Sequence, residues 1–86
     1  MILENEHEKA MLLMDIVYRF DELGAKQLEV IKYLIKNIET DANYLVITTY
    51  ELAKKANVSR KTVSSTLKLL EDHGFITRRI GSIHFN

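Results

Sequence analysis

At 86 residues the chain has room for one small domain, and the absence of cysteine excludes disulfides and thiolate metal sites. Its 47% hydrophobic content is globular rather than disordered, while no apolar tract reaches the roughly 20 residues of a membrane span. Twelve basic residues balance twelve acidic ones, and a formal net charge of zero argues, at the scale of the whole chain, against a nucleic-acid partner. The N-terminus has neither the basic start nor the small-residue cleavage site of a signal peptide, so a cytoplasmic protein is expected.

The first segment, about Glu4 to Leu23, is predicted helical. Leu13, Ile16, Val17, Phe20 and Leu23 recur at three- and four-residue spacing and form one face. Met11, Met14 and Tyr18 form a second apolar stripe. A helix apolar on two sides cannot bury both against one small domain, so the second stripe is expected to pair two subunits. Glu4, Glu6 and Glu8 suit a helix N-terminus, and Gly24 is expected to end the helix.

A second helix is predicted from about Ala25 to Asn37, with Leu28, Ile31, Ile35 and Ile38 facing inward and Val30 and Leu34 widening that face. Residues 40–43 (Thr40, Asp41, Ala42, Asn43) make a polar turn, and Tyr44 to Ile47 reads as a short strand. Thr48 and Glu51 stand three apart as a capping box, which starts a short helix of about Thr49 to Ala56. Asn57 suits a left-handed turn, and Ser59 caps a further helix, Arg60 to His73, terminated by Gly74. Small Ala53 at the crossing, with Val58 and Val63 bridging the turn, describes a helix-turn-helix.

After Gly74, two β-type runs flank Gly81-Ser82, and the two-residue turn falls there or one place earlier at Ile80-Gly81. Either placement puts Ile76, Arg78, Ile80, Ile83 and Phe85 on one face and Thr77, Arg79, Ser82 and His84 on the other. The expected fold is therefore mainly α with a small β-hairpin: a winged helix-turn-helix with an extra N-terminal helix. Residues 1–86 are read as a single winged-helix domain, with about 4–23 as the dimerisation helix and about 25–86 as the winged helix-turn-helix.

The zero net charge divides along the chain. Residues 1–43 carry nine acidic and five basic groups, a net of −4, and residues 44–86 carry three acidic and seven basic, a net of +4. Charge asymmetry of this kind points to an anionic partner for the basic half. At 100° per residue, the helix from Arg60 gathers Arg60, Lys61, Ser64, Ser65 and Lys68 on one polar face, with Glu71 and Asp72 only in its last turn. Helix stability alone prefers the reverse polarity, so the arrangement reads as a functional surface. Cations and hydroxyls near the N-terminus of such a helix are what reach base edges and phosphates in a major groove. Ser59 at the cap, Lys54 and Lys55 on the preceding helix, and Arg78 and Arg79 near the hairpin tip complete the expected DNA-binding set.

The stretch from about Asp21 to Asn86 resembles the C-terminal winged-helix region of RepL-type plasmid replication proteins of Gram-positive bacteria. The residues that carry the resemblance are Ile47-Thr48-Thr49-Tyr50-Glu51-Leu52-Ala53, Val58-Ser59-Arg60-Lys61-Thr62-Val63, Thr66-Leu67-Lys68-Leu69-Leu70-Glu71 and Gly74-Phe75-Ile76, closed by Asn86. The resemblance implies a replication-related DNA-binding role.

Enzymatic chemistry is not expected. His7, His73 and His84 share no metal-ligand spacing, no Gly-rich phosphate loop is present, and no cofactor or small-molecule ligand is implied. Tyr18, Tyr33, Tyr44 and Tyr50 read as core or turn packing, and His73 as a complement to its helix C-terminus. The expectation is a homodimer that binds double-stranded DNA in plasmid or mobile-element replication initiation or its control. A transcriptional regulator and a protein-interaction module are the alternatives.

Overall fold

The computed structural model describes residues 5–39 and 42–86. Helix α1 (Glu6–Arg19) starts on Asn5, whose side-chain oxygen accepts from the Glu8 backbone N–H at 2.9 Å. Glu6 and Glu8 lie in its first turn, where the positive end of the helix dipole favours them. Glu4, the expected start, lies outside the described residues.

The helix ends four residues earlier than its apolar pattern predicts. Phe20 turns extended (φ −109°, ψ 107°) and sets its ring edge-on to His73 at 4.7 Å, with Phe75 at 6.0 Å. That aromatic cluster diverts the chain before Gly24. Gly24 does not terminate α1 but is the N-cap of α2 (Ala25–Asn37). Its φ is −67°, and its N–H donates to the Gln27 side chain at 3.1 Å.

Helix α2 has the expected bounds. Val30, Ile31 and Leu34 are fully buried, and Ile35 and Ile38 nearly so. The buried side of α1 is Lys9, Leu12 and Ile16. This corrects the expected stripe: Val17 is exposed, and Leu13, Phe20 and Leu23 are only partly buried. With apolar residues on two sides, periodicity alone did not determine which side meets the core.

Of the polar turn at 40–43, Thr40 and Asp41 lie outside the described residues. Asn43 sits at φ 56°, and its N–H donates to the Glu39 carbonyl at 2.9 Å. Strand β1 (Tyr44–Val46) follows, one residue shorter than expected, with buried Ile47 just beyond it.

Helix α3 (Thr49–Ala56) opens on the expected capping box. Thr48 Oγ1 accepts from the Glu51 N–H at 3.1 Å, and Glu51 Oε1 accepts from the Thr48 N–H at 3.3 Å. Asn57 is left-handed (φ 57°, ψ 48°), and the Val58 N–H donates to the Ala53 carbonyl at 3.0 Å, which closes the turn. Helix α4 (Arg60–Asp72) begins on Ser59, whose hydroxyl accepts from the Thr62 N–H at 3.1 Å. His73 caps its end, with Nδ1 3.0 Å from the Leu69 carbonyl, and Gly74 reverses the chain at φ 78°.

The wing is a hairpin of β2 (Ile76–Arg79) and β3 (Ser82–Phe85), paired from Ile76 with Phe85 to Arg79 with Ser82. The turn is thus Ile80-Gly81, the earlier of the two placements, with Gly81 at φ 75°. Ile76, Ile83 and Phe85 share one face, as expected, and that face is buried at these three positions. Ile80 is not on that face, because it belongs to the turn and is fully exposed. β1 joins β3 antiparallel, giving a three-stranded sheet of order β1-β3-β2.

All four helices and the sheet share one core, in which Ile16, Ile31, Leu34, Leu52, Leu67, Leu70 and Ile76 are almost completely enclosed. Burial of each such side chain contributes about 1.5–3 kcal/mol. The core fixes α3 and α4 against each other and leaves one side of α4 in solvent.

Candidate nucleic-acid interface

Four residues seat α4: Val63, Thr66, Leu67 and Leu70 are buried, and the Thr66 hydroxyl is satisfied internally by the Thr62 carbonyl at 2.7 Å. The opposite face is the one predicted. Arg60, Lys61, Ser64, Ser65 and Lys68 are all exposed, with Glu71 and Asp72 in the last turn. The acids are largely engaged: Lys68 Nζ lies 3.3 Å from Asp72, and Arg78 lies 3.1 Å from Glu71. Ser65 donates to the Thr62 carbonyl at 3.0 Å, and Ser59 is committed to the cap. The first half of the face therefore presents Arg60, Lys61 and Ser64 as its open donors.

Tyr50 belongs beside them. It is 60% exposed, and the Arg60 guanidinium carbon lies 6.0 Å from its ring centroid, within cation–π range. This corrects the reading of Tyr50 as packing, and that of Tyr18, which is 87% exposed. Tyr33 and Tyr44 are half-buried, Tyr44 stacked on His84 at 5.4 Å. Lys54 is one helical turn from Tyr50 and shares its side of α3. The signal for Tyr50 was its place opposite buried Leu52, on the side that carries Lys54.

Lys55 is not brought to this surface. It lines a shallow hollow of about 280 Å³ toward α2, with Lys32, Tyr33 and Lys36. The wing borders the interface on the other side, where Thr48, Thr49, Arg79 and Ser82 line a cleft of about 220 Å³ between β3 and the start of α3. Arg78 and Arg79 both line this cleft and are exposed, and Arg78 is in addition tied to Glu71 of α4 at 3.1 Å.

A second surface lies on α1. Met11, Met14, Val17 and Tyr18 are 57%, 70%, 44% and 87% exposed, and Met14, Val17 and Tyr18 line a groove of about 400 Å³ against Leu28 of α2. Among the described residues no three His, Asp or Glu side chains are grouped to hold a metal ion, and no helix is long and apolar enough to cross a membrane.

A helix pair closed by a left-handed turn, a polar-faced second helix and a hairpin built into a three-stranded sheet define a winged helix-turn-helix, here preceded by α1. The fold matches that of the catabolite activator protein of Thermus thermophilus, with a TM-score of 0.55 at 24% identity, over 93% of this chain and 41% of that one.

The chain belongs to the Firmicute plasmid replication protein (RepL) family, whose profile matches residues 4–86. The match thus extends the resemblance read from residue 21 onward through α1. The chain is 32% identical over 74 residues to the replication and maintenance proteins of Bacillus subtilis and Staphylococcus aureus. Those alignments cover 86% of this chain but 51% and 47% of the relatives, so the chain spans about half their length.

Proposed function

We propose that the protein binds duplex DNA sequence-specifically, as a homodimer, in the initiation or control of plasmid or mobile-element replication. The observation that carries this reading is the exposed N-terminal half of α4, where Arg60, Lys61 and Ser64 are open to solvent and Arg60 lies over the Tyr50 ring of α3. In a helix-turn-helix this half enters the major groove while the preceding helix crosses the backbone. Arg60 and Lys61 reach guanine edges or phosphates, Ser64 reaches either, Ser65 takes part as an acceptor while its hydroxyl donates to Thr62, and each good bidentate base contact is worth about 1–3 kcal/mol of discrimination. Lys54 and Arg79 flank the helix and neutralise phosphates, with Lys55, Lys68 and Arg78 further from the groove. Family membership supports the replication role.

Dimerisation through Met11, Met14 and Tyr18 supplies the second half-site. A two-fold dimer of this kind reads a near-palindrome with half-sites one helical turn, or a multiple of it, apart. Selection of bound sites from a random duplex library tests the reading. It predicts an enriched inverted repeat whose affinity falls steeply with salt. Recovery of no motif, with binding that salt does not weaken, contradicts it.

A further inference from the structure

Ile80 opens the two-residue turn of the wing and is exposed over its whole area (106% of the reference value). It contributes nothing to the core. The left-handed position of the turn is filled by Gly81, and a β-branched side chain stabilises a sheet only by packing on neighbours, which Ile80 lacks. Ile80 is therefore free to meet a partner outside the chain.

Its surroundings indicate what it meets. Arg79, the preceding residue, is exposed and makes no ion pair among the described residues, so the aliphatic tip is coupled to a cation. The tip is also held firmly. The Gly81 carbonyl accepts from the Ile47 N–H at 3.0 Å, Arg79 pairs with Ser82, and Arg78 ties β2 to Glu71 of α4 at 3.1 Å. A short, rigid hairpin thus presents one apolar side chain and one arginine at a fixed offset from the reading helix. Minor-groove proteins deform DNA with this pairing, in which a cation enters the groove and an aliphatic wedge enters a base step.

We propose that Ile80 is a DNA wedge. With α4 in the major groove, the wing tip enters the adjacent minor groove, Arg79 engages its wall, and Ile80 inserts between two base pairs. The step unstacks and the duplex kinks there. The preferred partner is duplex DNA with a deformable pyrimidine–purine step under the wing. This inference rests on the duplex-DNA reading above and adds that the protein bends what it binds.

The test uses a duplex of roughly 30 base pairs, selected by the wild-type protein from random DNA and carrying a fluorophore at each end. Energy transfer between the ends reports the bend at saturating protein. The wild type is expected to kink the duplex by at least about 20°. Ile80→Ala is expected to lose most of that change while the DNA stays bound and the circular dichroism is unaltered. Ile80→Leu, which keeps an aliphatic wedge, is expected to restore it. Equal bending by Ile80→Ala and wild type overturns the wedge and leaves the DNA reading intact, as does a straight duplex in the wild-type complex. Failure of the wild type to bind any duplex overturns both.

Discussion

The ammonium group of Lys9 lies 3.2 Å from the carbonyl oxygen of Lys36 and 3.3 Å from that of Ile38, with its side chain only 7% exposed. These carbonyls belong to the end of α2, where backbone acceptors lack helical partners and the dipole favours a cation. A lysine on α1 thus seats that helix across the C-terminus of α2. The contact to Glu6 is long, at 3.9 Å, and Glu6 is exposed, so it adds little. Lys9→Met keeps the aliphatic stem but leaves two acceptors unsatisfied. The expected loss is about 1–3 kcal/mol, or about 4–8 °C of Tm per kcal/mol lost. An unchanged Tm in thermal denaturation contradicts this role.

The same docking turns Met11, Met14, Val17 and Tyr18 outward. Met14→Asp with Tyr18→Asp places two charges on the proposed subunit interface without touching the core. The wild type is expected to sediment at twice the chain mass of 10.0 kDa and the double variant at that mass. A monomeric wild type removes the dimer, and with it the palindromic site.

Asn57 holds a left-handed conformation at the centre of the helix-turn-helix. Asn57→Ala forces a Cβ-bearing residue without a local hydrogen-bonding side chain into that region, at an expected cost of about 1–2 kcal/mol. Asn57→Gly is expected to be close to neutral. Denaturant midpoints of the two variants in the opposite order contradict the turn assignment.

The wing arginines should separate. Arg78 and Glu71 form a half-exposed pair, and its loss is expected to change stability by no more than about 1 kcal/mol. Arg79 has no ion-pair partner among the described residues, although both arginines line the cleft beside Thr48 and Thr49. Arg79→Ala is expected to lower the salt dependence of DNA affinity by about one phosphate contact, and Arg78→Ala by less. The opposite ranking in salt titrations refutes this division of labour.

Where local chemistry punctuates the chain, the sequence was sufficient. The Thr48–Glu51 box, left-handed Asn57, the Ser59 cap and Gly74 each satisfy backbone groups within a few residues, so α3 and the start of α4 were legible in full. The polar face of α4 was legible for the same reason, because one helix has one period. The errors lie where tertiary contacts decide. Phe20 leaves α1 to meet His73 and Phe75, which no pattern within α1 encodes. Lys9 is buried by carbonyls 27 and 29 residues away, and a lysine in a sequence reads as solvated. The role of Tyr50 follows from the placement of Arg60 across the turn, a relationship between two helices rather than a motif in either. β1 was legible as a strand, but its partner β3 was not, since pairing register is set by the assembled core.

The central claim is that the N-terminal half of α4 reads DNA. Arg60→Ala with Lys61→Ala removes two exposed cations that make no buried contact, so the fold and its Tm should be unchanged. Titration of the selected duplex with the double variant, across a range of salt, is the direct measurement. The predicted result is weaker binding, with the slope of log affinity against log salt reduced by about two. Affinity and slope equal to those of the wild type contradict the claim.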